Sequence, residues 1–331
     1  MSSSMLLVVV VVILALCFDY INGFHDTANA IATSVSTKAL SPRNAIIIAA
    51  TLNFIGALSG TAVAATIGHG IVQPNVVTPL VLIAALIGAI FWNLFTWYFG
   101  IPSSSSHALI GGLIGATVAG FGIPFVNWQG FLMIIAGLLI SPLAGLIAGS
   151  VVMTVLFWMF KSFSPASINN SFRKLQIISA CMASFAHGSN DAQKSMGIIT
   201  MVLVSGGVLV YFEVPLWVKI SCALAMAAGT AVGGWKIIRT MGGKIFRIEP
   251  INGFAADFTS SMVIYAATIL GAPVSTTHVV SSSIMGVGAA KRLKGVRWSI
   301  ARQIIIAWLV TIPSSALVAS LFYRGLSIIF L

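Results

Sequence analysis

Apolar runs of membrane-spanning length, each ended or interrupted by a short polar cluster, make up almost the whole chain. Residues 5–37 exceed one simple span and carry Asp19, Asn22, Gly23, His25, Asp26 and Asn29, which predicts a helix broken near its middle. A return span is predicted over 44–67, then a loop over 69–79 without Lys or Arg. Residues 80–99 and 108–120 predict two helices separated by a break at 101–107, either a re-entrant hairpin or two spans. A helix over 131–160, with Ser141-Pro142 inside it, closes the first set. The same order returns in 175–212, 215–235, 252–290 broken at Pro273, and 303–323.

The polar clusters repeat as well. Gly23-Phe24-His25-Asp26-Thr27-Ala28-Asn29 is answered by Gly188-Ser189-Asn190-Asp191-Ala192-Gln193-Lys194. Further along, Pro102-Ser103-Ser104-Ser105-Ser106-His107 is answered by Pro273-Val274-Ser275-Thr276-Thr277-His278. An acidic Gly-containing motif and a Pro-led Ser/Thr-His motif, in the same order twice, point to a tandem duplication. The first copy spans 1–160, a basic linker 161–174, and the second copy 175–331.

Composition fixes the class. Hydrophobic residues make up 58% of the chain and charged residues 7%, and from Asn44 to Phe160 no Asp, Glu, Lys or Arg occurs, so a water-soluble surface cannot be built. The runs lack the alternation of a membrane β-barrel, so helices must satisfy the backbone in lipid: the fold is an all-α polytopic membrane protein. A net charge of +11 would suggest nucleic acid in a soluble domain. Here the cations sit in short connections between apolar runs, which is the positive-inside signal and not a nucleic-acid surface. Lys38, Arg43, Lys161, Arg173, Lys174, Lys236 to Arg247 and Lys291 to Arg297 mark the inner side. The two copies then cross in opposite directions, with the N-terminus outside a cell membrane, an inverted repeat as used by secondary transporters. Cys17, Cys181 and Cys222 show neither CxxC nor a Cys/His ligand spacing, so no disulfide or zinc site is expected. The run from Met5 to Phe18 has no preceding cation and no Ala-x-Ala site, and is expected as a retained helix, not a signal peptide.

A carboxylate inside a membrane span costs several kcal/mol, so Asp26 and Asp191 call for a role. With Asn29, Asn190 and Gln193 they offer oxygen ligands to a cation or a proton. Each proline ends an incoming helix, and the Ser/Thr run after it opens the next, leaving N–H groups, hydroxyls and the positive dipole end facing one point. Ser103 to Ser106 and Ser275 to Thr277 supply two such ends, suited together to a tetrahedral oxyanion. His107 and His278 hold equivalent positions, as substrate contacts or as helix-packing residues. Asp19 and Asp257 read as membrane-edge acids. An intramembrane hydrolase is disfavoured because no GxSxG elbow occurs.

The segments GFHDTANAIAT, HGSNDAQKSMG, PSSSSH and PVSTTH resemble the paired signatures of the inorganic phosphate transporter (Pit) family, over nearly the whole chain. The resemblance implies a non-enzymatic secondary transporter importing inorganic phosphate. It places Ser104, Ser105, Ser106, Ser275, Thr276 and Thr277 near the anion, and Asp26, Asn29, Asp191 and Gln193 near the coupling cation. His25-Asp26 replaces the Asn-Asp of the sodium-coupled branch, and Gln193-Lys194 its Gln-Asn. This resembles the proton-coupled bacterial branch and turns the expectation from sodium to protons. A sulfate permease and a sodium-coupled symporter of the same family are the alternatives. Inorganic phosphate, protons and the lipid bilayer are the expected partners. No cofactor is expected, and a homo-oligomer and a metal–phosphate complex as cargo are left open.

Overall fold

Helix α1 (Ser3–Ser36) runs without interruption through the first acidic motif, and α7 (Pro165–Ser205) runs through the second. The expected mid-membrane break of 5–37 is therefore absent. Neither motif contains proline, and their polar side chains find partners sideways on neighbouring helices, so the backbone has no need to open. The computed structural model describes residues 3–73 and 76–330, and among these the only β pairing is an isolated bridge between Val72 and Val126.

After α1 come α2 (Pro42–Ala57) and α3 (Ala62–Gly70), bent by 68° from each other, so the span expected over 44–67 is broken at Leu58 to Thr61. Next are α4 (Pro79–Phe99), α5 (Ser105–Phe121) and α6 (Trp128–Phe160), the last with Pro142 inside it. The order then repeats. After α7 come α8 (Leu216–Val232) and α9 (Trp235–Arg239), which continues into a π-helical turn at Thr240–Lys244, with a 61° bend between α8 and α9. Finally α10 (Pro250–Ile269), α11 (Thr276–Lys291) and α12 (Trp298–Phe330) follow, with Pro313 inside α12. The segment expected as a basic linker over 161–174 is helical from Pro165 onward, capped by Ser164. By length and composition four helices among the described residues can cross a membrane, α1, α4, α6 and α12, or up to six if each bent pair counts as one span.

Local sequence sets the helix ends. Ser41, Thr78 and Ser164 cap α2, α4 and α7 with side-chain acceptors, each followed by a proline at the start of the helix, where its missing N–H is harmless. Gly100 (φ 66) and Gly271 (φ 68) adopt the left-handed conformation that closes the first helix of each Pro-led pair. The chain then folds back: Thr96 meets Ser103 at 2.9 Å, and Gly112 packs against Ala85. The pairs α4–α5 and α10–α11 each fold back on themselves as helical hairpins. Their tips meet in the interior, where the Ser106 hydroxyl donates to the Val274 carbonyl at 3.0 Å.

The two sets of helices clasp each other. Helices α1 and α7 run antiparallel, with Thr37 donating to Gln176 at 2.7 Å at one end and Val8 packed on Gly206 at the other. Helix α8 lies on α1, with Gly229 against the Tyr20 and Gly23 backbones; α2 lies on α7, with Gly56 against Phe185 and Ser189. A β-carbon at either glycine would collide with a carbonyl, so small residues set the helix spacing. Helix α5 runs alongside α12, where Ser320 donates to the Gly115 carbonyl at 2.8 Å, and α6 alongside α11, where Ser150 donates to that of Gly286 at 3.0 Å. Loops 71–73 and 76–78, 122–127 and 206–215 carry no Lys or Arg, while Lys38, Arg247 and Arg297 border one cleft at the opposite end.

Candidate functional site

The acidic motifs and hairpin tips converge where α1 and α7 cross. Asp26 accepts from Ser105 at 3.0 Å and from Thr277 at 3.2 Å, one hydroxyl from each tip. Asp191 accepts from Thr276 at 3.0 Å. The Lys194 ammonium donates to the Asp191 carboxylate, to the Ser106 hydroxyl and, at 3.1 Å, to the Val274 carbonyl. Asn29 donates to Thr277 at 2.9 Å and to Thr276 at 3.3 Å. All these groups are buried, and Lys194 is wholly inaccessible.

Charge is concentrated here. Ligand atoms of Asp26, His187 and Asp191 all lie within 4.8 Å of one another. Two carboxylates that close repel by about 3.5 kcal/mol at an effective dielectric of 20, so positive charge must stand between or beside them. Lys194 supplies one such charge. The histidines are placed to supply more: His25 Nδ1 lies 2.6 Å from Asp26 Oδ1, and its Nε2 lies 3.1 Å from the Thr96 hydroxyl. Thr96 in turn reaches Ser103, linking Asp26 through His25 to the first tip. His187 Nδ1 faces Asn53 Oδ1 at 3.1 Å, while the Asn53 amide is committed as a donor to Thr230 at 2.8 Å. That orientation puts the His187 proton on Nδ1, so Nε2, 3.3 Å from Asp191 Oδ2, meets the carboxylate favourably when it carries a second proton.

Several expected site residues do other work. Gln193 Oε1 accepts from the Val63 and Ala64 N–H groups at 2.8 and 3.4 Å, and its Nε2 donates to the Ser189 carbonyl. It caps α3, whose own N-cap Thr61 makes no side-chain bond, and does not stand beside Asp191 as a ligand. Asn190 is also committed: it donates to Thr268 at 2.9 Å and to the Ala272 carbonyl at 3.3 Å, holding the second tip as His25 holds the first through Thr96. Ser104 and Ser275 are N-caps, accepting from the His107 and His278 N–H groups at 3.2 and 3.3 Å. The hydroxyls left to face an anion are those of Ser105, Ser106, Thr276 and Thr277, with first-turn N–H groups that have no intrahelical acceptor. Ser103 bonds Thr96, behind the tip.

His107 and His278 stack between the hairpins, with ring centres 4.4 Å apart. His278 lies on Trp308 at 3.9 Å, and His107 Nδ1 contacts Ser104 at 2.8 Å. They pack the two tips together. Asp257 and Asp19 are both buried within the protein, Asp257 accepting from the Thr33 hydroxyl at 2.6 and 2.7 Å, Asp19 lying midway along α1. His187 was missed in the sequence, although its place four residues before Asp191 puts both on one helical face.

The fold is shared with a known structure and most of the sequence with known proteins. The model of a phosphate transporter family, PHO4, matches residues 22–319. A Bacillus subtilis protein named "Probable low-affinity inorganic phosphate transporter" is 51% identical over 98% of this chain and 99% of its own. A Rhizobium meliloti protein of the same name is 48% identical over 96% of each chain. A solved structure, "The sodium-dependent phosphate transporter", superposes with a TM-score of 0.88 at 27% identity, covering 98% of this chain and 100% of that one. With polar tips meeting between two crossed acidic helices, and a family match over most of its length, this multi-pass membrane protein belongs to the phosphate transporter family.

Proposed function

We propose that the protein imports inorganic phosphate across the cell membrane together with protons. The two hairpin tips hold the anion through the Ser105, Ser106, Thr276 and Thr277 hydroxyls, the first-turn N–H groups and Lys194. Asp26 and Asp191, which accept the same hydroxyls when no anion is bound, then accept the phosphate's own hydroxyl. The copies cross the membrane in opposite directions, and parting the tips on one side and then the other gives alternating access.

The observation that carries the proton reading is Lys194, whose ammonium already binds Asp191, Ser106 and Val274. A tethered cation at the acid makes a soluble one redundant. His25 and His187 flank the two carboxylates, and each can hold a second proton with both ring nitrogens directed at oxygens. A second reading, sodium coupling, is favoured by the name of the structural neighbour and by the close approach of Asp26, His187 and Asp191.

Labelled phosphate uptake into proteoliposomes decides between them. An acid-outside gradient without sodium should drive accumulation. Uptake that requires sodium and ignores the pH gradient would overturn the proton assignment; no phosphate uptake under either gradient would overturn the substrate.

A further inference from the structure

Helix α1 carries polar residues at Asp19, Asn22, Asp26, Asn29 and Thr33, alternately three and four residues apart, which aligns them in one stripe along the helix. The lower part of the stripe is largely engaged: Asp26 and the Asn29 amide nitrogen bind the tips and Thr33 binds Asp257, with the Asn29 Oδ1 atom left without a partner among the described residues. The upper part is not. Both carboxylate oxygens of Asp19 and both amide atoms of Asn22 lack hydrogen-bond partners among the described residues, as does the hydroxyl of Ser195 on α7. All three residues are 0% exposed.

Ser195 and, from α8, Cys222 face the Asp19 carboxylate closely enough to interact, and Asp191 and Lys194 of α7 lie within its electrostatic reach. Helix α4, also packed on α1, has no Asp, Glu, Lys, Arg or His. No cation is thus bound directly to Asp19. An ionised carboxylate faced only by a hydroxyl and a thiol costs far more in such a place than a neutral one. A protonated carboxyl can donate to the Ser195 hydroxyl that faces it, and Asn22, one turn along the same stripe, adds an unpartnered amide beside the site. A dehydrated metal ion would need more oxygens than these three side chains supply.

We propose that Asp19, with Asn22 and Ser195, forms a second proton-binding site, two helical turns or about 10 Å from Asp26 toward the Lys- and Arg-free end. It takes up the proton that later reaches the Asp26 and Asp191 centre, and it stands on the path from outside, separate from the anion-binding tips. This site rests on the proton-coupled reading above, which assigns it no role.

The test uses Asp19→Asn and Asp19→Glu in proteoliposomes. Phosphate-for-phosphate counterflow at equal pH reports a folded carrier without net proton movement. Asp19→Asn should keep counterflow within about twofold of wild type and lose at least tenfold of the acid-outside stimulation, which Asp19→Glu should restore. Equal stimulation of wild type and Asp19→Asn overturns the site while leaving proton coupling intact; no stimulation of the wild type overturns both. Infrared spectra of the purified protein supply a readout independent of transport. A protonated-carboxyl component present in wild type should be missing from Asp19→Asn, with Asp257→Asn as the control for the other buried acid, and a wild-type minus Asp19→Asn difference spectrum without a carboxyl component overturns the assignment.

Discussion

Asn29 and Lys194 occupy matched places in the two halves, each three residues after the buried aspartate: the Asn29 amide donates to Thr277, and the Lys194 ammonium donates to its counterpart Ser106. The site is therefore a near-symmetric frame, and at this pair the halves differ by a fixed positive charge in the second. Asn190 and His25 form a second matched pair, each holding the threonine that ends the first helix of its own hairpin. Here the difference is a titratable ring in place of an amide.

Removing both differences should change the coupling. Lys194→Asn combined with His25→Asn is expected to weaken proton-driven uptake at least tenfold and to make uptake respond to sodium, because Asp191 then loses its tethered cation and Asp26 its adjoining ring, with His187 left between them. Lys194→Ala alone takes the ammonium away from buried Asp191, leaving it Thr276 and His187, an expected cost of about 3–5 kcal/mol. Sodium-insensitive uptake with unchanged pH response in the double variant would refute the assignment.

Phosphate should be preferred over sulfate by at least a hundredfold. At neutral pH sulfate has only acceptor oxygens, whereas phosphate keeps a hydroxyl that Asp26 or Asp191 can accept; a bare dianion facing those carboxylates is left with an unpaired repulsive contact. Competition of unlabelled sulfate against labelled phosphate measures this directly. Sulfate competing as well as phosphate contradicts it.

Gln193 provides a control that separates position from role. Gln193→Ala should lower stability by about 0.5–2 kcal/mol, the usual worth of a helix cap, with little change in the KM for phosphate. A rise in KM or a changed pH response, with stability unaffected, would place Gln193 in the ion path instead.

Much of this arrangement was legible in the sequence because it depends on short-range chemistry. Prolines 102 and 273 with the Ser/Thr runs after them fixed the hairpin tips, and Asp26 and Asp191 could only be central, since a lone carboxylate in lipid is untenable. What could not be read was which neighbour each polar group would find. Gln193 looks like an ion ligand until α3 is seen to bend in and present its N-terminal N–H groups. Asp26 appears to demand a broken helix until Ser105 and Thr277 arrive from opposite hairpins. These contacts join residues 79 to 251 positions apart, which no local pattern encodes.

Close helix contacts predict opposite outcomes at two glycines. Gly229→Val should prevent stable folding, because its β-carbon would enter the Tyr20 carbonyl, a backbone group that cannot move aside. Gly325→Ala, in α12 with nothing within 4 Å of the added carbon, should stabilise by about 0.5–1 kcal/mol through helix propensity. Thermal unfolding of the purified variants in detergent ranks them.

The membrane orientation follows from the charge segregation and can be checked at single residues. Gln73 lies exposed in a connection without Lys or Arg, and Gly243 lies in the π-helical turn between Arg239 and Arg247, with open space around it. The antiparallel crossing of α1 and α7 puts these two connections at opposite ends of the molecule, and the excess of cations predicts a cytoplasmic position for the Gly243 end. In a background lacking Cys17, Cys181 and Cys222, Gln73→Cys should react with a membrane-impermeant maleimide added to intact cells, and Gly243→Cys only after permeabilisation. Labelling of both from the same side would break the inverted arrangement and with it the facing tips; reversed labelling would keep the tips and invert the direction of import.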